Sequence, residues 1–178
     1  MKKHQLLFTL ILSVLCVTSY AQDKKMFAGL NLGFHSNDAE SHFNLGPRFG
    51  YWLSENSAIV AGIGISSHKD KGTDIKTNGF GIGAEYRYGW HHGDNTFFYL
   101  APGLSYNSLK EGDEDPSTAF SVYLTPGVQY MLGDRWSINA EIGLLNYTSS
   151  KTHGGDAVNQ FSVGTNFDAL AFTLWYHF

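Results

Sequence analysis

The sequence has little cysteine, little positive charge and no long apolar run in its body, and each shortage removes a class of explanation. Its single cysteine, Cys16, lies in an amino-terminal leader, Met1–Ala21. There Lys2 and Lys3 precede the apolar run Leu6–Val17, and Ser19-Tyr20-Ala21 offers small residues at −3 and −1 for cleavage before Gln22. The run is too short for a membrane-spanning helix, which takes about 20 residues. Leu15 is too bulky for lipoprotein processing at Cys16. With the leader gone no thiol remains, which excludes disulfides, thiolate catalysis and cysteine-based zinc sites. Loss of Lys2 and Lys3 takes the formal net charge from −4 to −6, which argues against nucleic acid as a partner. Residues 22–178 have the length of one domain. They contain neither a transmembrane-helix run nor a sustained helical period.

Alternation is present instead. In Gly79–Trp90 the even positions, Phe80, Ile82, Ala84, Tyr86, Tyr88 and Trp90, are apolar or aromatic. The odd positions, Gly79, Gly81, Gly83, Glu85, Arg87 and Gly89, are small or charged. Period two puts the two sets on opposite faces of a β-strand. The same pattern predicts strands at Met26–His35, His42–Leu53, Ala58–Ser66, Phe97–Asn107, Thr118–Leu132, Arg135–Tyr147 and from about Gln160 to Phe178. In the last, the apolar phase moves from odd (Phe161, Val163, Phe167) to even (Leu170, Phe172, Leu174, Tyr176, Phe178). A β-bulge near Asn166–Ala169 accounts for this; a turn there would give nine strands and separate the chain ends.

Short connections (Ser54–Ser57, His91–Asn95, Gly133–Asp134) alternate with longer polar ones (Ser36–Ser41, Ser67–Lys76, Ser108–Ser117, Ser149–Asn159). Aromatic residues bracket the aliphatic band. Tyr51, Trp52, Tyr88, Trp90, Phe97, Phe98, Tyr130, Trp136, Tyr176 and Phe178 stand at the turn end; Phe34, Phe43, Tyr106, Phe120 and Tyr147 mark the loop end. Even strand number, alternating loop length and two aromatic belts together predict an all-β, eight-stranded antiparallel up-and-down transmembrane barrel with its apolar face toward lipid. Pro47, Pro102 and Pro126 fall inside strands, where each lacks an N–H for its ladder, so bulges or missing bonds are expected there.

The segment Asn44–Ala58, with Pro47 ahead of the Gly50-Tyr51 pair and a short polar turn, resembles the second strand and turn of the small OmpX and OmpA-barrel type of outer-membrane protein, within the wider porin-like family. The ending Trp175-Tyr176-His177-Phe178 resembles that family's terminal signal. The resemblance implies a Gram-negative outer-membrane location, contact with outer-membrane lipid, and recognition of Tyr176 and Phe178 by the barrel-insertion machinery. It also implies a surface role of the adhesion type through four loops, with lipid A modification or narrow solute passage as alternatives.

Four charged residues belong to the inward set: Arg48, Glu85, Arg87 and Glu141. Counted from the turn end they fall at one depth, with Tyr99, Asn139 and Gln129 near enough to hydrogen-bond. Two charges of each sign in a barrel just wide enough for side chains predict a neutral structural plug. Arginine partners keep carboxylates ionised, which suits neither a general acid nor an open pore. For catalysis, Ser66, Ser67 and His68 meet the rim near Asp70 and Asp74. Successive strand residues take opposite faces, however, and no His-x-Ser pair is present, so no enzyme is expected. His35, His42, His68 and His153 flank loops without metal-ligand spacing, and His91-His92 sit in a turn. Glu111-Gly-Asp-Glu-Asp115 lacks the ordered oxygen ligands of a calcium loop. Neither metal nor cofactor is expected.

Overall fold

The computed structural model describes residues 25–36, 40–72, 75–112, 115–152 and 155–178, and their side chains except at 33–36, 40, 42 and 166–170. The alternating segments form eight strands: β1 Met26–Ser36, β2 Glu40–Ser54, β3 Ser57–Asp70, β4 Lys76–His92, β5 Thr96–Glu111, β6 Ser117–Met131, β7 Trp136–Lys151 and β8 Ala157–His177. Each pairs antiparallel with its chain neighbours, and β1 meets β8, so the sheet closes in sequence order. The first strand begins and the last one ends at the turn end, where the Phe178 N–H donates to the Met26 carbonyl at 3.0 Å.

Burial is inverted relative to a water-soluble sheet. Ile59, Ile63, Ile65, Phe80, Ile82 and Leu174 are exposed on the outer face, whereas Arg87, Ser137 and Asn139 are fully enclosed. A barrel in lipid is built this way, since its outer face needs no water and its backbone bonds are closed around the ring. A strand crosses a bilayer in about 9–11 residues; these run from 11 to 21. Among the described residues no helix is long and apolar enough to cross a membrane.

Three features differ from the sequence reading. The loop-end connections are shorter than expected, because the strands rise past the apolar band and leave only 37–39, 71–75, 112–116 and 152–156 between them. Two members of the turn-end aromatic set, Trp52 and Phe97, belong inside the barrel: Phe97 is 3% exposed and its ring lies 5.1 Å from that of Trp52. β7 also changes phase. Ser137, Asn139 and Glu141 face inward near the turns, yet Tyr147 is exposed outward while Thr148 bonds to the inward Ser121 at 2.8 Å.

The prolines explain part of this. Pairing between β2 and β3 skips from Leu45↔Ile65 to Arg48↔Gly62 without a shift, so Pro47 only removes rungs. Pro102 does the same between Glu85↔Gly103 and Tyr88↔Leu100. At Pro126 the register itself moves, from Leu124↔Leu145 to Gly127↔Glu141, and β7 takes up one extra residue as a bulge. β8 follows: Glu141↔Ala171, Gly143↔Asn166 and Leu145↔Val163 show it advancing eight residues while β7 advances four. It remains one strand through 166–169 rather than breaking into a turn. Gly164, at φ 139°, takes up a backbone conformation that side chains disfavour.

Candidate functional site

The inward faces of β2, β4 and β7 converge on a closed ring of four charges. Glu85 and Arg87 are two apart on β4, hence on one face, and Arg87 Nε donates to Glu85 Oε1 at 2.8 Å. Arg87 Nη2 donates to Glu141 Oε1 at 2.7 Å. Arg48 completes the circuit, with Nη1 on Glu141 Oε2 at 3.0 Å and Nη2 on Glu85 Oε1 at 2.7 Å. The Tyr99 hydroxyl lies 2.8 Å from Glu141 Oε1 and 2.7 Å from Asn139 Oδ1, with one proton to donate between them. Arg87 is wedged between aromatic faces, its Cζ 4.7 Å from the Tyr99 ring centre and 5.0 Å from that of Trp175. Burying four ions is costly; each finds opposite charge within the ring, which offsets part of that cost, while Arg87 Nη1 is left without a hydrogen-bond partner.

Gln129, grouped with this ring by its depth in the sequence, lies elsewhere. Its Nε2 donates to Ser137 Oγ at 3.0 Å and sits 3.2 Å from His177 Nε2, which is 2.8 Å from the same Ser137 oxygen. This second polar group lies nearer the turn end. Beside it the Phe27 ring packs on Trp175 at 5.0 Å, on His177 at 5.3 Å and on Trp52 at 5.5 Å. Phe97 and Tyr99 continue the stack at 5.6 Å. The sequence reading missed Phe27, Trp175, Ser137, Thr173 and His177. A signal for the large ones was present: Trp175 and His177 have the opposite parity to the outward Leu174 and Tyr176. Glycines opposite supply the room, since a Cβ on Gly29 would come within 2.5 Å of the Trp175 ring.

Filling stops at the ion ring. Toward the loop end the lumen opens into a cavity of about 460 Å³, floored by Arg48, Glu85 and Glu141 and lined by Asn31, Ser105, Asn107 and Tyr123. A second space of about 310 Å³ lies beside it against Ser121, Asn146, Ser162 and Gly164. Side chains pack the turn half of the lumen and leave the loop half open. The small inward residues of β2–β4, which alternate with bulky outward ones, leave the loop half open.

Among the described residues the remaining candidates do not gather into a catalytic or metal centre. β3 continues to Asp70, so Ser67 and His68 remain consecutive strand residues on opposite faces. Among the described residues no three His, Cys, Asp or Glu side chains gather as metal ligands. Asp74, Asp113, Glu114, His153 and the cleavage residues Ala21 and Gln22 lie outside the described residues, as do the side chains of Phe34, His35 and His42. At the carboxyl end the alternation is resolved. His177 is buried inside, whereas Tyr176 packs on Trp136 at 5.0 Å and on Phe178 at 6.1 Å.

Residues 7–178 match the family model described as "Outer membrane protein beta-barrel domain". Among solved structures the chain is similar to Neisserial surface protein A, at 17% identity and a TM-score of 0.53, covering 86% of this chain and 96% of that one. A major outer membrane protein from Thermus thermophilus is 13% identical at a TM-score of 0.47, covering 86% and 98%. OprG, an outer membrane protein from Pseudomonas aeruginosa, is 14% identical at 0.45, covering 85% and 92%. The first likeness supports the fold; the other two, with TM-scores below 0.5, add no weight. No curated protein sequence matches the chain.

Proposed function

The chain belongs to the family of outer membrane protein beta-barrel domains, and from that premise we propose that it is a non-enzymatic envelope barrel, sealed in its turn half. It meets ligands at the cell surface through what its loop end presents. Kinship with outer-membrane barrels indicates the outer membrane as its location. Export by the leader Met1–Ala21 and recognition of Tyr176 and Phe178 during insertion complete the proposal.

One observation carries the sealed reading. Arg87 stands across the lumen with no exposed surface, bonded to both carboxylates and covered by Trp175, itself fully buried. A solute moving toward the turn end would have to break those ion pairs and displace the Phe27–Trp52–Phe97 stack below. Recording from planar bilayers tests this directly: the purified barrel is expected to give no steady large conductance. Cell fractionation with heat-modifiable gel mobility tests class and place, a folded barrel in the outer-membrane fraction being the expected result. The narrow-channel reading draws on the loop-half cavity, but that cavity ends on the ion ring.

A further inference from the structure

Within the described strands, outward-facing cations occur only toward the loop end. On β3 the outward face passes toward the loops from Ile65 through Ser67 to Lys69. β4 repeats the order with Phe80, Asn78 and Lys76, and β5 with Tyr106, Ser108 and Lys110. Steps of two keep each series on one face, and all three lysines are exposed. The acidic residues that follow two of them, Asp70 and Glu111, take the opposite face, and Asp70 Oδ1 accepts the Gly72 N–H at 2.8 Å. Among the described residues no outward position of β3, β4 or β5 is acidic. At the turn end the described outward strand positions carry aromatic residues instead, as at Trp90, Tyr130 and Trp136, and neither lysine nor arginine.

In register the three lysines form one patch. Lys69 stands opposite Lys76, and Lys110 opposite Asn78, the next outward residue of β4. Strands about 4.8 Å apart spread these charges over about 10 Å. Like charges set opposite each other across strands are destabilising, and an anion shared between them offsets that. Lys151 carries the same charge on β7 but stands beyond β6, whose outward Thr118 and Phe120 are neutral. The depth fits a headgroup layer. Four residues at about 3.3 Å, on a strand tilted about 45°, lift each lysine Cα about 9 Å past the last large apolar residue. The flexible stem can bend back into a polar layer about 5–8 Å deep. Ser67, Asn78 and Ser108 lie below, at the level of sugar and ester oxygens. We infer that Lys69, Lys76 and Lys110 form a site for the doubly phosphorylated sugar headgroup of a glycolipid in the leaflet facing the loops. Each lysine meets phosphate as a point charge, and the span of the patch suits two phosphates rather than one. The site rests on the outer-membrane placement proposed above and is separate from the lumen.

The test uses the purified barrel in phosphatidylcholine nanodiscs doped separately with diphosphoryl lipid A, monophosphoryl lipid A or phosphatidylglycerol, with lipid retained after release counted by native mass spectrometry. The wild type is expected to retain one diphosphoryl lipid A and to prefer it over the other two by about fivefold or more, one charge contact at a membrane surface being worth about that factor. Changing Lys69, Lys76 and Lys110 together to glutamine should lower retention about a hundredfold on the same scale, and changing them to arginine should preserve it. Lys151→Gln, an equal loss of charge beyond β6, should change little. All these variants leave the lumen untouched and should keep wild-type heat-modifiable mobility. No retention by the wild type, equal retention by the triple glutamine variant, or equal retention of phosphatidylglycerol would each overturn the proposal. So would a loss from Lys151→Gln as large as that from Lys76→Gln, which would mark a diffuse charge layer. Purified protein is used throughout, so these failures bear on the site alone, whereas cell fractionation bears on the placement.

Discussion

Removing Glu141 tests the ion ring most severely. Its carboxylate accepts from Arg48 at 3.0 Å, from Arg87 at 2.7 Å and from the Tyr99 hydroxyl, which lies within 2.8 Å. Glu141→Ala leaves two guanidiniums facing one carboxylate, a surplus positive charge in the lumen. Deleting one member of a buried ion group typically costs about 3–5 kcal/mol. The structure points to the lower end of that range. Arg87 is fully enclosed and cannot relax, but the Arg48 side chain is 20% exposed toward the chamber and can turn to water there. About 3 kcal/mol is therefore expected, read as a fall in guanidinium midpoint for the barrel in lipid vesicles, followed by tryptophan fluorescence and gel mobility. Adding Arg87→Met restores charge balance and keeps bulk between Tyr99 and Trp175, so the double variant should recover at least about 1 kcal/mol relative to the sum of the singles. If Glu141→Ala costs under about 1 kcal/mol, or the two changes simply add, the charges are not coupled as described.

Other outcomes follow from the packing. Gly29→Val drives a side chain into the Trp175 ring and should cost about 1–3 kcal/mol by overpacking, whereas Gly64→Ala, which meets open space, should leave the unfolding midpoint unchanged. Trp52→Ala with Phe97→Ala strips the aromatic layer below the ion ring; planar bilayers should stay silent, because Arg87 and Trp175 remain, and a steady current would refute that order of barriers. Phe178→Ala should lower the share of chain assembled in the outer membrane while changing the stability of the refolded barrel little, since its ring lies 6.1 Å from those of Phe49 and Tyr176, at the far edge of aromatic contact. A large loss of refolded stability would make its role structural.

Strand number, order and inward charges were legible because period two is enforced residue by residue: slip by one and lipid meets arginine. The ion ring needed only the parity of Arg48, Glu85, Arg87 and Glu141 and their distance from the turns. The aromatic packing was harder to read, since a phenylalanine or tryptophan near a turn suits the membrane interface and the lumen equally well. Parity alone separates Trp52 and Phe97 from Tyr51 and Phe98. The β7 bulge was hidden by Ile142-Gly143-Leu144-Leu145, where apolar residues on successive positions erase the phase. Polar Asn146 and Thr148 around Tyr147 carried its trace. Loop length was overestimated because polar residues do not end a strand that has risen beyond the hydrocarbon; the ladder continues as long as partners face each other.

The charge circuit also has a bearing on how the molecule is made. Glu141 reaches back 93 residues to Arg48 and 54 to Arg87, so the first four strands carry two guanidiniums and a single carboxylate until the seventh is delivered. An unfinished chain is thus an imbalanced one. Completion of the cylinder and cancellation of its internal charge become the same event, which favours whole barrels over partial ones throughout biogenesis.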